Sequence, residues 1–229
     1  MRFLSVVQHT QSEWLGAIED HLEGRGIRFG YFRPFAMGGA LPKVDTIGDG
    51  LILVGGGPWG SAPGPRQLPT LEPEVRLARA CLMLGKPVLA MGLGAQILSL
   101  AADGEVAAAP YSLQVGEAVS RMAEGLGGLM PERFPLVTVM RDRPRPPAYA
   151  ETIATGPGGE PAAFAIGSNT FGFTGHLGIR RAMIEDLLME FEEAPENAAQ
   201  GLAAMAGLQS AIEDALVPLM AGIIRQWGW

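Results

Sequence analysis

The sequence predicts a three-layer α/β sandwich built on a mixed, mainly parallel sheet. Two observations carry that expectation. Short apolar runs of strand length alternate with segments of helical periodicity, the pattern of a doubly wound sheet. Hydrophobic residues make up 48% of the 229 positions and charged residues 18%, enough to bury a sizeable core.

The elements follow in order. Phe3–Val7 is an apolar, β-branched run suited to a buried parallel strand. Residues 13–23 place Trp14, Ile18, His21 and Leu22 at helical spacing, with Gly24 and Gly26 as the stop. A second strand spans 27–33 and ends at Pro34; a third, 50–54, runs into Gly55, Gly56, Gly57 and Pro58. A helix over 72–84, a strand over 87–91 and a helix over 94–101 complete the alternation.

The second half changes character. Short strands at 134–140, 151–155, 162–166 and 170–174 are separated by Pro and Gly, and residues 141–147 read as a Pro/Arg-rich loop. Beyond His176 the chain turns helical, with one helix at 183–191 and one or two over 198–227. In the last stretch Ile212, Leu216, Leu219, Ile223 and Trp227 share a face. The expected division is a main domain at 1–193 and a C-terminal helical extension at 194–229 packed on it.

Composition excludes several classes of function. A net charge of −7 with scattered basic residues does not suit a nucleic-acid surface. A single cysteine, Cys81, permits neither an internal disulfide nor a thiolate-rich metal site, and its place on the apolar side of a helix marks it as core. His9 and His21 have no metal-ligand spacing to His176, so no metal and no cofactor are expected. No membrane span is expected, the opening run is too short for a signal peptide, and the cytoplasm is the default compartment.

The informative segment is Pro87-Val-Leu-Ala-Met-Gly-Leu-Gly-Ala-Gln-Ile-Leu-Ser99. A strand, a sharp turn and a helix form the layout of a nucleophile elbow, which displays one side chain above the strand end. The following backbone N–H groups and the helix N-terminus then stabilise negative charge. The displayed residue here is Gly92, which has no side chain to attack with. The glycines also give a partial dinucleotide fingerprint, but its third glycine is Ile97 and the motif follows the fourth strand rather than the first.

At these residues the chain resembles the class I glutamine amidotransferases, whose elbow carries Gly-x-Cys-x-Gly-x-Gln. Here the run is Ala90-Met-Gly-Leu-Gly-Ala-Gln96, so the second glycine and the glutamine match while the cysteine is Gly92. Gln8-His-Thr10, Gly56-Gly-Pro-Trp-Gly60, Gly85-Lys-Pro-Val-Leu89 and Gly159-Glu-Pro-Ala-Ala-Phe164 are similar to the family in the expected order. Gly172-Phe-Thr-Gly-His176 resembles the motif whose histidine and glutamate complete a Cys-His-Glu triad; the glutamate position is Gly178. The run from Phe134 to Asp142 lacks both histidines of the His-Trp-His-Gly-Asp stretch found in many stand-alone members.

The resemblance implies a flavodoxin-like sandwich with its pocket at the C-terminal edge of the strands. There Gly92, His176 and Gly178 take the triad positions, and Gly57, Leu93 and Gln96 the ligand-binding ones. It implies a protein without ordinary glutaminase activity that binds a small amide or γ-glutamyl ligand, or a partner synthetase or second copy of itself. Two alternatives stay open: an amide or γ-glutamyl hydrolase or transferase that uses His176 and backbone oxyanion donors, and a structural subunit of a hetero-oligomer. Because triad members act as one unit, a cysteine at 92 and a glutamate at 178 are expected to do better together than singly.

Overall fold

The structure, a computed structural model of the chain, describes residues 1–122 and 124–229. In chain order the elements are β1 (Phe3–Val7), α1 (Ile18–Glu23), β2 (Arg28–Phe32), β3 (Gly50–Leu53), α2 (Leu71–Met83), β4 (Val88–Met91) and α3 (Leu93–Ala101). There follow β5 (Glu105–Ala107), β6 (Ser112–Ser120), α4 (Gly125–Gly128), β7 (Arg133–Met140), β8 (Arg143–Arg145), β9 (Glu151–Thr155), β10 (Pro161–Ile166) and β11 (Thr170–Phe173). Three helices close the chain: α5 (Arg181–Glu190), α6 (Ala198–Met205) and α7 (Gln209–Gln226).

Among the described residues nine strands form one mixed sheet in the order β2-β1-β3-β4-β11-β10-β9-β6-β7. The β2-β1-β3-β4-β11 links are all parallel, and the β11-β10-β9-β6-β7 links are all antiparallel. Inside the edge strand β2, the parallel strands β1, β3, β4 and β11 are buried on both faces, which is why β1, β3 and β4 read as continuous apolar runs rather than alternating ones. One face packs Leu4, Val6, Met91 and Phe173 against Ile18 and Leu22 of α1 and Leu216, Leu219 and Ile223 of α7. The other packs Leu51, Leu53, Val88 and Ala90 against Leu77, Ala78 and Cys81 of α2 and Ile97 and Leu98 of α3.

Ile212, Leu216, Leu219, Ile223 and Trp227 are all buried, as their spacing requires, and the Trp227 indole N–H donates to the Asn169 carbonyl. Residues 198–227 break into α6 and α7 with a bend of 76°. No single helix among the described residues is long and apolar enough to cross a membrane.

Several elements differ from the sequence-based expectation, among them β5 and α4, which the sequence reading lacks. The helix predicted over 13–23 begins only at Ile18, because Gly16 at φ 61° breaks the helical path and residues before it form a loop. The nine-residue β6 is missing from the sequence reading; its Gly116 and exposed Gln114 and Glu117 hide an edge-side strand that pairs along its length with β7. The Arg141–Arg145 stretch is no simple loop, since β8 pairs antiparallel with β5 as a small second ribbon.

Candidate functional site

Three adjacent parallel strands deliver the site. The Gly92 N–H donates to the Phe173 carbonyl at the end of β11, and the Gly94 N–H to the Val54 carbonyl just beyond β3. The ends of β3, β4 and β11 therefore open onto one edge, as doubly wound sheets place their ligand crevices.

Gly92 is the turn between β4 and α3, with φ 57° and ψ −118°. Side chains rarely adopt that backbone conformation, so the geometry is that of an elbow although no side chain is displayed. Among the described residues, and apart from its chain neighbours, the atoms within 4 Å of where a Cβ on Gly92 would stand belong to Gly55 alone, the nearest its Cα at 3.3 Å.

The loop after β3 is shaped by contact on each of its glycines. A side chain on Gly55 would collide with the Glu13 carboxylate, and one on Gly56 with the Leu93 side chain. Gly57 sits at φ 52°, and a Cβ there would lie 3.0 Å from Leu187 Cδ1 and 3.3 Å from Phe191 Cε2. The Gly57 N–H donates to the Glu13 carboxylate. Glu13 is buried, and burial is the main cause that pushes its carboxyl up to about 7, aided by Glu190 and opposed by the Gly57 N–H and His9.

His9 grips the same loop at Gly55. Its Nδ1 lies 3.0 Å from the Gly55 carbonyl oxygen and its Nε2 2.7 Å from Glu74 Oε2, with both side chains of the pair wholly buried. Carbonyl and carboxylate only accept, so both ring nitrogens carry hydrogen and His9 is an imidazolium. Burial disfavours that charge, but the Glu74 charge and hydrogen bond, with the Gly55 carbonyl, outweigh it and hold His9 above its ordinary value. Thr70 Oγ1 donates to the second oxygen of Glu74.

His176 follows β11 on the same edge, but its ring is not against the elbow. Nε2 donates to the Trp14 carbonyl at 2.6 Å, and buried Nδ1 has no partner among the described residues. Burial is the main cause that drives the imidazole down to about 4, offset in part by the Trp14 carbonyl. Gly178 is packed under the loop that precedes α1. Its Cβ position lies 2.5 Å from the Leu15 carbonyl oxygen, and its own carbonyl accepts the Ala17 N–H at 3.0 Å. A carboxylate at 178 has no room unless that loop moves, which overturns the expected benefit of a glutamate there.

Gln96 is buried, with its carbonyl accepting from Ser61 Oγ and its amide donating to the Arg141 carbonyl. Its polar atoms thus hold the loops over α3 together. Leu93 packs on Gly56 and is itself buried. Cys81 lies in the core, its thiol pushed up to about 11 by burial, and is no displaced nucleophile.

Sequence reasoning missed Glu13, Glu74 and Asp142. Glu13 was hidden by the helix assigned over it. Glu74 sits three and four positions before buried Leu77 and Ala78 on α2, and a charged residue on that apolar stripe was a readable signal. Asp142, at φ 59°, accepts the N–H groups of Ser61, Ala62 and Ala109 and pins the loop beyond the glycines.

No family model matches this chain. Over 148 residues, 63% of the chain, it is 33% identical to a glutamine-hydrolysing GMP synthase of Aeropyrum pernix. The chain spans only about a quarter, 26%, of that relative's length. Among solved structures, a glutamine amidotransferase from Methylobacillus flagellatus superposes with a TM-score of 0.82 at 20% identity, covering 99% of this chain and 95% of that one. A glutamine amidotransferase from Thermotoga maritima gives a TM-score of 0.79 at 18% identity, covering 100% of this chain and 99% of that one. These matches show the fold: the mixed α/β sandwich of glutamine amidotransferases.

Proposed function

We propose that this chain is a class I glutamine amidotransferase-like domain that does not hydrolyse glutamine by the covalent route. Its elbow engages a small amide or γ-glutamyl compound, or serves a partner enzyme, instead of releasing ammonia. The observation that carries this reading is Gly92, which holds the elbow's backbone conformation and offers no nucleophile. The attack on an amide carbon needs a thiolate, a base to take its proton and a group to orient that base. Gly92 supplies none of the first, and Gly178 none of the third.

The partner half of the reading draws on the length of the relative. A GMP synthase of which this stretch is one quarter holds the matching sequence beside a much longer remainder. A partner synthetase for this chain, or a second copy of it, is the corresponding expectation.

Hydrolysis by activated water with His176 as base is the weaker reading. A base held near 4, with Nε2 committed to the Trp14 carbonyl, has little drive to take a proton at neutral pH.

Ammonia release from L-glutamine tests the proposal, with and without a thiol alkylator and in the Cys81→Ser variant. No release above background is expected in any arm. Turnover that the alkylator abolishes would overturn the reading.

A further inference from the structure

The opposite edge of the sheet carries a concavity of its own. Arg2 stands immediately before β1, and Gly26 and Ile27 immediately before β2, so this groove lies at the N-terminal ends of the parallel strands. The last turns of α7 supply its other wall. Its volume of about 640 Å³ suits a small organic molecule rather than a single ion.

The side chains of Arg2, Arg25 and Arg225 line the groove, and no carboxylate side chain does. Composition alone would not predict that, since the chain has 24 acidic residues against 17 basic ones. Arg2 is partly engaged. Its Nη1 lies 3.1 Å from Asp49 Oδ1, and its guanidinium stands 5.2 Å from the centroid of the Trp229 ring. Arg25 and Arg225 have no carboxylate partner among the described residues. Nη1 of Arg25 donates to the His21 carbonyl at 2.9 Å and lies 3.3 Å from His21 Nδ1, while Nη1 of Arg225 donates to the Gly127 carbonyl at 3.5 Å. A guanidinium carries five N–H donors, so most of those on both residues remain for a ligand.

Helix capping explains part of this arrangement. α1 and α7 both end at the groove, and cations are favourable at helix C-termini. Each helix end brings roughly half a negative charge. Even with Asp49 added, the three guanidinium charges exceed that, and the groove keeps a positive excess.

The rest of the lining is apolar. Buried Ile27 and Ile224 and the Trp229 ring face the same space. Its rim is held by backbone bonds, from the Arg28 N–H to the Arg2 carbonyl at 3.0 Å and from the Trp229 N–H to the Ile224 carbonyl at 3.2 Å. Guanidinium forks beside an aromatic ring match a phosphate that carries an organic body. A phosphate monoester offers three terminal oxygens, enough for two forks on different elements, whereas a carboxylate offers two and is matched by one.

We propose that this groove binds a small organic phosphate, with the phosphate held by Arg25 and Arg225 and the organic body packed on Trp229, Ile27 and Ile224. The site is separate from the elbow, at the other end of the strands.

Phenyl phosphate is the probe, titrated calorimetrically into the full chain at constant ionic strength, beside inorganic phosphate and phenol. Saturable binding of phenyl phosphate is expected, tighter than that of either fragment. Arg25→Gln with Arg225→Gln should weaken it by at least about tenfold, because both charge-assisted contacts are lost. Both side chains are exposed, so the double variant should keep its melting temperature within a few degrees; if it does not fold, Arg225→Gln alone should still weaken binding. Phenyl phosphate should also shift the backbone amide resonances of Gly26 and Gly228 and leave that of Gly92 unmoved. Absence of saturable binding, undiminished affinity in the variants, or shifts centred on Gly92 would overturn the site. Equal affinity for inorganic phosphate would overturn its assignment to an organic ligand.

Discussion

The Glu13 carboxylate accepts the N–H of Gly57, a donor forty-four positions further along the chain and one sheet strand away. This bond ties a buried acid to the glycine loop, and the His9 imidazolium bonds the same loop at the Gly55 carbonyl. The glycine loop is thus held by two buried groups of opposite tendency, one reluctant to ionise and one compelled to. Their pH behaviour gives the first predictions.

Glu13 is raised from 4.5 to about 7. The folded chain therefore binds its proton more tightly than the unfolded chain, and stability is lost as pH rises from about 4.5 to 7. The shift corresponds to on the order of 3 kcal/mol at full titration. In Glu13→Gln that loss should vanish, so the variant gains relative to wild type across this window. Urea unfolding at pH 4.5, 6 and 8 measures it; a difference constant with pH would refute the assignment.

His176 works in the opposite direction. Its folded value of about 4 lies below the ordinary 6.5, so the unfolded chain binds more protons in between. Stability from this group is full above about 6.5 and is lost as pH falls through 4, again on the order of 3 kcal/mol. His176→Gln keeps a donor for the Trp14 carbonyl and should flatten the acid limb. Between pH 4.5 and 6.5 the Glu13 and His176 effects nearly cancel, so wild type should change little there while the two variants tilt oppositely.

Much of this arrangement was legible in the sequence, and what escaped did so for identifiable reasons. β1, β3 and β4 were plain because buried parallel strands are uniformly apolar, and the elbow because a Gly92 turn between strand and helix is local. His176 could be placed on the same edge, since β11 leads into it. Its ring direction could not, because that depends on the Trp14 carbonyl 162 positions away. The room at Gly178 was equally hidden, being set by the Leu15 carbonyl in a distant loop. Glu13 escaped because Trp14, Ile18 and Leu22 share a helical period that the chain abandons at Gly16.

The buried His9–Glu74 pair should be strongly non-additive. Glu74→Ala leaves an imidazolium without its counter-charge and should cost about 3–5 kcal/mol. Replacing both residues by leucine removes the charge as well as the partner and should cost less than the sum of the single changes. A double-mutant cycle by thermal or urea unfolding measures the coupling, and additive costs would show that the pair is not ionised.

Gly92→Cys should fold, and should not recover glutaminase activity. The position's φ of 57° and ψ of −118° would impose on the order of 1–3 kcal/mol of backbone strain on a side chain. The space itself is adequate, since among the described residues, chain neighbours aside, only Gly55 lies close to the new Cβ. The new thiol would still lack what activates it. His176 has Nε2 engaged on the Trp14 carbonyl, lies beyond 4 Å of the Cβ position, and has no carboxylate to orient it. The Gly57 N–H is already held by the Glu13 carboxylate. Adding Gly178→Glu should make matters worse, because that side chain drives into the Leu15 carbonyl and displaces the loop carrying Glu13 and Trp14. Melting temperature should fall further in the double variant, with turnover of glutamine absent in both. Efficient ammonia release by Gly92→Cys alone would mean that His176 and the glycine loop rearrange around a thiol, and that the resting site described above is not the one that meets a substrate.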